Sequence, residues 1–271
     1  MNKIGIAIMI AIYICTMRTH TVLPAHLNPD KVNDAYDRGI LDQEEININD
    51  QEEINVNKEY DFITISLGCN CHVGTYTRDN NIRAFAFPFD WSVTPFQALY
   101  HFIENDFKDF FKRENLIASS KQFFTTYTQS VVDRLRYNSF IENNPWVIDK
   151  QSGMFFNHDF SDNDANTINK YFQINHLKYT RRIKRFYTAI NSGKHIYFIR
   201  FHDIDKPQSL GLYLLLKYKF PTTPFTLIVI GDKANEFNED WNIPYIKNYY
   251  TKPDYAPFWQ KLCQDIVARR L

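Results

Sequence analysis

With 271 residues, 44% hydrophobic and 16% aromatic, the chain carries enough apolar material for a sizeable core in one large domain or two small ones. Only 8 glycines and 11 prolines exclude a collagen-like or linker-dominated protein. Lys plus Arg and Asp plus Glu balance at 31 each, and no zinc-finger spacing or phosphate-binding glycine loop accompanies them, so nothing points to nucleic acid.

The amino terminus has Lys3, an apolar run from Ile4 to Met17, and then Arg18. The run is short of the roughly 20 residues that span a bilayer but matches the core of a secretory signal. Ala25 suits the last position before a cleavage point, whereas Leu23, two before it, does not. Residues 1–25 thus read as a signal peptide or a short anchor, with a structural strand or helix as the third reading. The first two make the protein secreted or membrane-associated, its membrane contact confined to this segment. The sequence has no Asn-x-Ser/Thr acceptor and only four cysteines, one of them inside the apolar run, which is no disulfide scaffold. A cytoplasmic location therefore stays open.

From His26 to Tyr60 the character changes. "DQEEININ" (42–49) is followed at once by "DQEEINVN" (50–57), and the span holds ten acidic residues against Lys31, Arg38 and Lys58. Such a segment has too little apolar surface to offset its ordering entropy, so it is expected to be a flexible acidic spacer. A strand-like edge made by alternating Ile46, Ile48, Ile54 and Val56 is the alternative. The remaining residues, 61–271, are modestly basic and are expected to form a single α/β domain.

Three runs in that domain read as buried strands: "FITISL" (62–67), "HIYFIRF" (195–201) and "FTLIVI" (225–230). Their near-continuous apolar character suits parallel strands covered on both faces. Each ends abruptly in "GCNC", "HD" or "GD". Helical patterns separate them. Residues 94–111 have a Thr94 cap, Pro95 in the first turn and a stripe of Phe96, Leu99, Ile103 and Phe107. Residues 179–190 place Tyr179, Ile183, Phe186 and Ile190 on one face and stop at "NSG". Residues 256–271 repeat the pattern with Phe258, Leu262 and Ile266. This alternation predicts a layered α/β fold, a mostly parallel sheet flanked by helices, with a partly helical insertion around 111–151. Ligands of such sheets bind beyond the carboxyl ends of the strands.

The chemistry concentrates in "GCNCHVGTYTRD" (68–79). Gly68 permits the turn leaving the strand, and a short helix behind it would hold Cys71 in its first turn. There, unpaired backbone N–H groups and the positive helix end favour thiolate. Cys69 sits in the turn itself and is expected to pack. A buried cysteine is also an ordinary core residue, so a purely structural role for Cys71 competes with the reactive one. A nucleophilic thiol needs a base and a group to orient it. His72 would point about 100° away on the helix. His158, framed by Phe155, Phe156 and Phe160 with Asp159 beside it, is the first candidate, and His202 with Asp203 the second. Metal binding is disfavoured because Cys69, Cys71 and His72 lack Cys-x₂₋₄-Cys spacing and have no second compact pair. No metal and no cofactor are expected. A Cys69–Cys71 disulfide is disfavoured on geometry.

Taken together, "SLGCNC", "IRAFAFPFDW", "FFNHDF", "YTRRIKRF" and "IYFIRF" resemble a domain family of unknown function named for papain-like cysteine peptidases. The resemblance covers most of residues 61–232. It implies that Cys71 is the family cysteine, preceded by Asn70, and that Arg83, Pro88, Phe89, Asp90 and Trp91 form a second block. His158 and Asp159 match a histidine–aspartate block, and Arg181 and Arg182 match paired arginines. Unlike papain, where the cysteine starts a long helix beside a barrel-like sheet, this cysteine follows a strand of a parallel layout. Asp90 is expected to pair with Arg83, with orientation of the imidazole as its other role. Lys178, Arg181 and Arg185 form a basic stripe, read as solvated surface or as a site for a phosphate, carboxylate or sugar acid.

Two functions of different class follow. In the first, the protein is a cysteine-dependent hydrolase of an amide, peptide or ester bond in a peptide, glycan or small anionic substrate. Cys71 attacks, His158 carries the proton, and backbone N–H groups around Asn70–His72 hold the oxyanion. Asp159 is the first choice for the third member. Adjacent strand side chains diverge, so Asp203 and Asp90 stay as alternatives. In the second, a non-hydrolytic α/β domain binds an anionic nucleotide or glycan at the Gly68–Cys71 turn, with Cys71 supplying packing.

Overall fold

The computed structural model describes residues 60–118, 147–156, 158–160, 166–201, 204–231, 240–251 and 255–271. The amino-terminal apolar segment, the duplicated octads, His202 and Asp203 lie outside these residues.

Four strands form one sheet: β1 (Phe62–Ser66), β5 (His195–Phe201), β6 (Phe225–Gly231) and β7 (Ile246–Tyr250), in the order β1-β5-β6-β7. All three pairings are parallel, with Ser66 opposite Ile199, Phe201 opposite Ile230 and Gly231 opposite Tyr250. Gly68 and Gly231 therefore stand at the same carboxyl edge, as the polar strand endings predict. The three strands β1, β5 and β6 are buried on both faces, and their successive residues divide between two layers. Ile196 and Phe198 of β5, with Ile65, Leu67, Phe225, Leu227 and Val229, pack against α2 (Phe96–Glu104), α3 (Thr167–Ile190) and α4 (Lys206–Lys219). Tyr197, Ile199 and Phe201, with Phe62, Ile228 and Ile230, pack against α1 (His72–Asp79) and α5 (Ala256–Val267) through Val73, Trp259, Leu262, Cys263 and Ile266. The period of two along a strand produces this sorting. Burial on both sides is why the strands read as continuous apolar runs.

Between β1 and β5 the chain builds the partly helical insertion. It includes a small antiparallel sheet of β2 (Leu116–Ala118), β3 (Val147–Asp149) and β4 (Phe155–Phe156). Val93 and Phe155 exchange both backbone hydrogen bonds, at 2.9 Å each, which ties the loop before α2 to β4.

Helix boundaries differ from the sequence reading in instructive ways. The helix expected over 94–111 spans only Phe96–Glu104. Asn105 Nδ2 takes the carbonyl of His101, and Asp106, Phe107, Asp109 and Phe111 all have positive φ. The chain coils there so that Phe107 and Phe110 reach Phe89, and Phe111 reaches Phe156 and Tyr179. Thr94 does not cap the helix with its side chain; its hydroxyl shares a hydrogen bond with Ser92 at 2.9 Å. The 179–190 pattern is the second half of the 24-residue α3. Helix α4 was not marked by a clean stripe, yet Asp205 and Gln208 form a complete capping box at its start.

Candidate active site

Cys71 stands at the N-cap of α1, directly behind β1 and at the carboxyl edge of the sheet. It is partly exposed, whereas Cys69 is buried. Cys69, Cys71 and Cys263 form no disulfide. The turn before Cys71 is unusual backbone: Gly68 has φ of 76° and Cys69 of 82°. A left-handed conformation is natural for glycine but costs another residue about 1–3 kcal/mol, so its surroundings must hold it. A Cβ on Gly68 would stand 2.9 Å from Thr94 Oγ1 and 3.1 Å from Phe89 Cβ, so only glycine fits this approach. Ser66 Oγ accepts from Gly68 N at 3.1 Å, and Thr94 N donates to Cys69 O at 3.2 Å.

Asn70 is buried, and its Oδ1 accepts from His72 N at 3.0 Å. That occupies one of the amides which the sequence reading offered to an oxyanion. The next amides along α1, those of Val73 and Gly74, have no acceptor within the helix by its geometry. His72 faces the end of β5, its ring edge-on to Phe201 with centroids 5.5 Å apart.

The "FPFDW" loop packs along α1. The expected Arg83–Asp90 pair forms, with Arg83 Nη1 donating to Asp90 Oδ2 at 2.8 Å and both side chains almost wholly buried. Phe87 N donates to the same oxygen at 2.9 Å. Burial raises the Asp90 carboxyl above its ordinary range, outweighing the opposing pull of Arg83, the Phe87 amide and Arg182. Gly74 lets α1 approach closely: a Cβ there would meet Asp90 O at 3.0 Å. Trp91 follows, its ring under the guanidinium groups of Arg83 (5.1 Å) and Arg78 (5.4 Å).

His158 is solvent-exposed and meets Trp91 edge-on, with centroids 5.8 Å apart. The Val93–Phe155 bridge explains the meeting, because it fixes β4 beside the loop that carries Trp91. Trp91 also lies under Arg78 in the last turn of α1, so His158 and that end of α1 share Trp91 as a neighbour. Asp159 turns the other way, into α3. Its Oδ1 accepts from Lys178 Nζ and its Oδ2 from the Tyr179 hydroxyl, each at 2.5 Å, while Asn175 Nδ2 donates to its backbone carbonyl at 2.6 Å. Burial, reinforced by Asp159, holds the Tyr179 phenol well above its usual range, so it stays a donor. Lys178 accordingly belongs to this buried bond rather than to a solvated stripe, and Arg182 lies buried within the apolar stripe of α3. Arg185 stands over the ring of Phe85 at 5.5 Å.

Two partners escaped the sequence reading. Arg200, fully buried on β5, donates to the carbonyls of Leu67 and Thr94. Trp91 is a ring contact of His158. A charged residue in the otherwise apolar strand "HIYFIRF" was the available signal for Arg200. Among the described residues, no group of three or more His, Cys, Asp or Glu is placed to hold a metal ion. Nor is any helix among them long and apolar enough to cross a membrane.

The family described as "Putative papain-like cysteine peptidase (DUF1796)" matches residues 62–220, more than half of the chain. The chain belongs to this family. The family match runs from β1 to just past α4, so it takes in Cys71, the Arg83–Asp90 pair, Trp91, His158, α3 and Arg200. The strands β6 and β7 and helix α5 fall outside it. A curated relative, "Uncharacterized protein R408" of Acanthamoeba polyphaga mimivirus, is 30% identical over 155 residues, 56% of this chain and 66% of the relative. The match spans just under two thirds of that protein's length. No solved structure gives a significant match.

Proposed function

We propose that this family member is a cysteine-dependent hydrolase with Cys71 as nucleophile and His158 as general base, acting on an amide, peptide or ester bond. The observation that carries the reading is the placement of Cys71: partly exposed, at a helix N-terminus, at the carboxyl edge of a parallel sheet, on a turn held in strained backbone. A helix N-terminus favours the thiolate, and the edge of such a sheet is where ligands settle. Strain at a functional position is maintained only where the surroundings enforce it.

In the reaction, Cys71 Sγ attacks the carbonyl carbon, and negative charge builds on the carbonyl oxygen. The amides of Val73 and Gly74 are the donors left to meet that charge, since the His72 amide serves Asn70. His158 takes the thiol proton and returns it to the departing amine or alcohol. Water, activated by the same imidazole, then releases the acid and restores the thiol. Asp159 acts on His158 through the main chain. Bound to Lys178, Tyr179 and Asn175, it pins the 158–160 segment on α3, so it is a positioning residue in this scheme.

The test is acyl-enzyme trapping. The protein is offered a panel of activated esters and peptide amides, and the adduct is read by intact and peptide mass. The proposal expects an acyl group on Cys71 that disappears in Cys71→Ala and persists in Cys263→Ala. An adduct that survives Cys71→Ala, or no adduct from any member of the panel, overturns the hydrolase and leaves the turn as an anion-binding site.

A further inference from the structure

A guanidinium taken out of water must find acceptors for its N–H groups. Arg200 is fully buried one residue before the end of β5, and its acceptors lie where the site is. Nη1 donates to Leu67 O at 2.7 Å and Nη2 to Thr94 O at 2.9 Å. Leu67 immediately precedes Gly68, and the Thr94 amide donates back to Cys69 O. One planar fork thus joins the exit of β1 to the loop entering α2. The Thr94–Cys69 bond closes the ring around the two left-handed residues, Gly68 and Cys69. The ring has no slack, as the 2.9 Å approach of Thr94 Oγ1 to a Gly68 Cβ makes plain.

We propose that Arg200 is the positioning residue of the nucleophile turn: by bridging Leu67 O and Thr94 O it fixes Gly68 and Cys69 in left-handed backbone and so aims Cys71. The inference rests on the reading of Cys71 as nucleophile. Arg200 touches no substrate and acts through Cys71 alone. Arginine is required because two carbonyls are held in one plane by two nitrogens; lysine offers the charge with a single nitrogen.

The experiment measures the rate constant of Cys71 alkylation by iodoacetamide, read by peptide mass, in full-length wild type, Arg200→Gln, Arg200→Lys and Leu216→Ala. Leu216 is buried near the end of α4, which returns to the opposite edge of the sheet, so its variant controls for lost stability. Cys263 in the same digest reports global opening. Misplacement by about 1 Å costs up to roughly 100-fold in rate. Arg200→Gln is therefore expected to slow Cys71 by about tenfold or more, Arg200→Lys to regain part of the rate, and Leu216→Ala to lower the melting temperature without slowing Cys71. If the glutamine variant does not fold, the lysine variant decides: a severalfold loss with folding retained supports the inference, and the wild-type rate overturns it. Arg200 variants that slow Cys71 no more than Leu216→Ala does at a comparable loss of stability also overturn it. A fast wild-type Cys71 with unaffected Arg200 variants overturns this inference alone. A wild-type Cys71 no faster than a cysteine in an unfolded peptide overturns the nucleophile reading and this inference with it.

Discussion

Replacing Arg83 with methionine removes one half of a pair whose side chains are 4% and 0% exposed. Breaking a buried ion pair from one side typically costs about 3–5 kcal/mol, because the other charge stays buried without its partner. Asp90 keeps the Phe87 amide and the more distant Arg182, which places Arg83→Met toward the lower figure. At roughly 2–4 °C per kcal/mol for a domain of this size, the melting temperature falls by about 6–12 °C. The loss depends on pH in a definite sense. The folded Asp90 carboxyl already titrates above its unfolded value because of burial, so the folded state binds more protons. Its contribution to stability is full below the unfolded value and is lost as pH rises through the folded one. Without Arg83, the largest influence opposing burial, the folded value climbs further and the window widens toward neutrality. The deficit of Arg83→Met is thus greatest at neutral pH and shrinks in mildly acidic buffer. Thermal melts of wild type, Arg83→Met, Asp90→Asn and the double variant across that range form the assay. A deficit independent of pH, or a double variant that loses the full sum of the single losses, refutes the reasoning.

Gly74→Ala sets a Cβ 3.0 Å from the Asp90 backbone oxygen, which cannot swing aside; melts should show a loss of about 1–3 kcal/mol, with slower alkylation of Cys71 as α1 shifts. Tyr179→Phe keeps the ring contacts and removes the hydroxyl that Asp159 accepts, so denaturant titration should register about 1–2 kcal/mol. Burial pushes the Cys263 thiol from 9.0 up to about 12, so its stabilising contribution is full below the unfolded value and fades as pH rises toward the folded one. Thiol reagents near neutral pH should therefore modify Cys263 only in denaturant, which peptide mass analysis of native and unfolded samples will check.

The sheet was legible because burial on both faces leaves an unbroken apolar run, and three such runs mark β1, β5 and β6. The Arg83–Asp90 pair and the helix start at Cys71 were legible for local reasons, opposite charges flanking a rigid proline turn and a glycine at a strand exit. What escaped is polar chemistry turned inward. The first half of α3 hides in "TINKYFQINHLK" because Asn175 and Lys178 face Asp159 where apolar residues would have kept the period. Helix α2 stops at Glu104 although its stripe continues to Phe107, since Asn105 and the left-handed residues after it coil the phenylalanines inward. Strand β7, "IKNYY", is an edge strand with only Ile246 fully buried, so its pattern is weak. That Asp159 would turn away from its neighbour His158 was foreseeable from strand alternation, but its partners Lys178 and Tyr179, about 20 residues on in α3, were not.

The central claim is that Cys71 is a working thiol supported by His158. Its most direct test is the alkylation rate of Cys71 near neutral pH, compared with the same cysteine in the denatured chain and with folded His158→Ala. The account predicts that native Cys71 reacts faster than the denatured control despite its partial burial, and that His158→Ala slows it by at least about tenfold. A native rate at or below the denatured one, or a rate unchanged by His158→Ala, contradicts it.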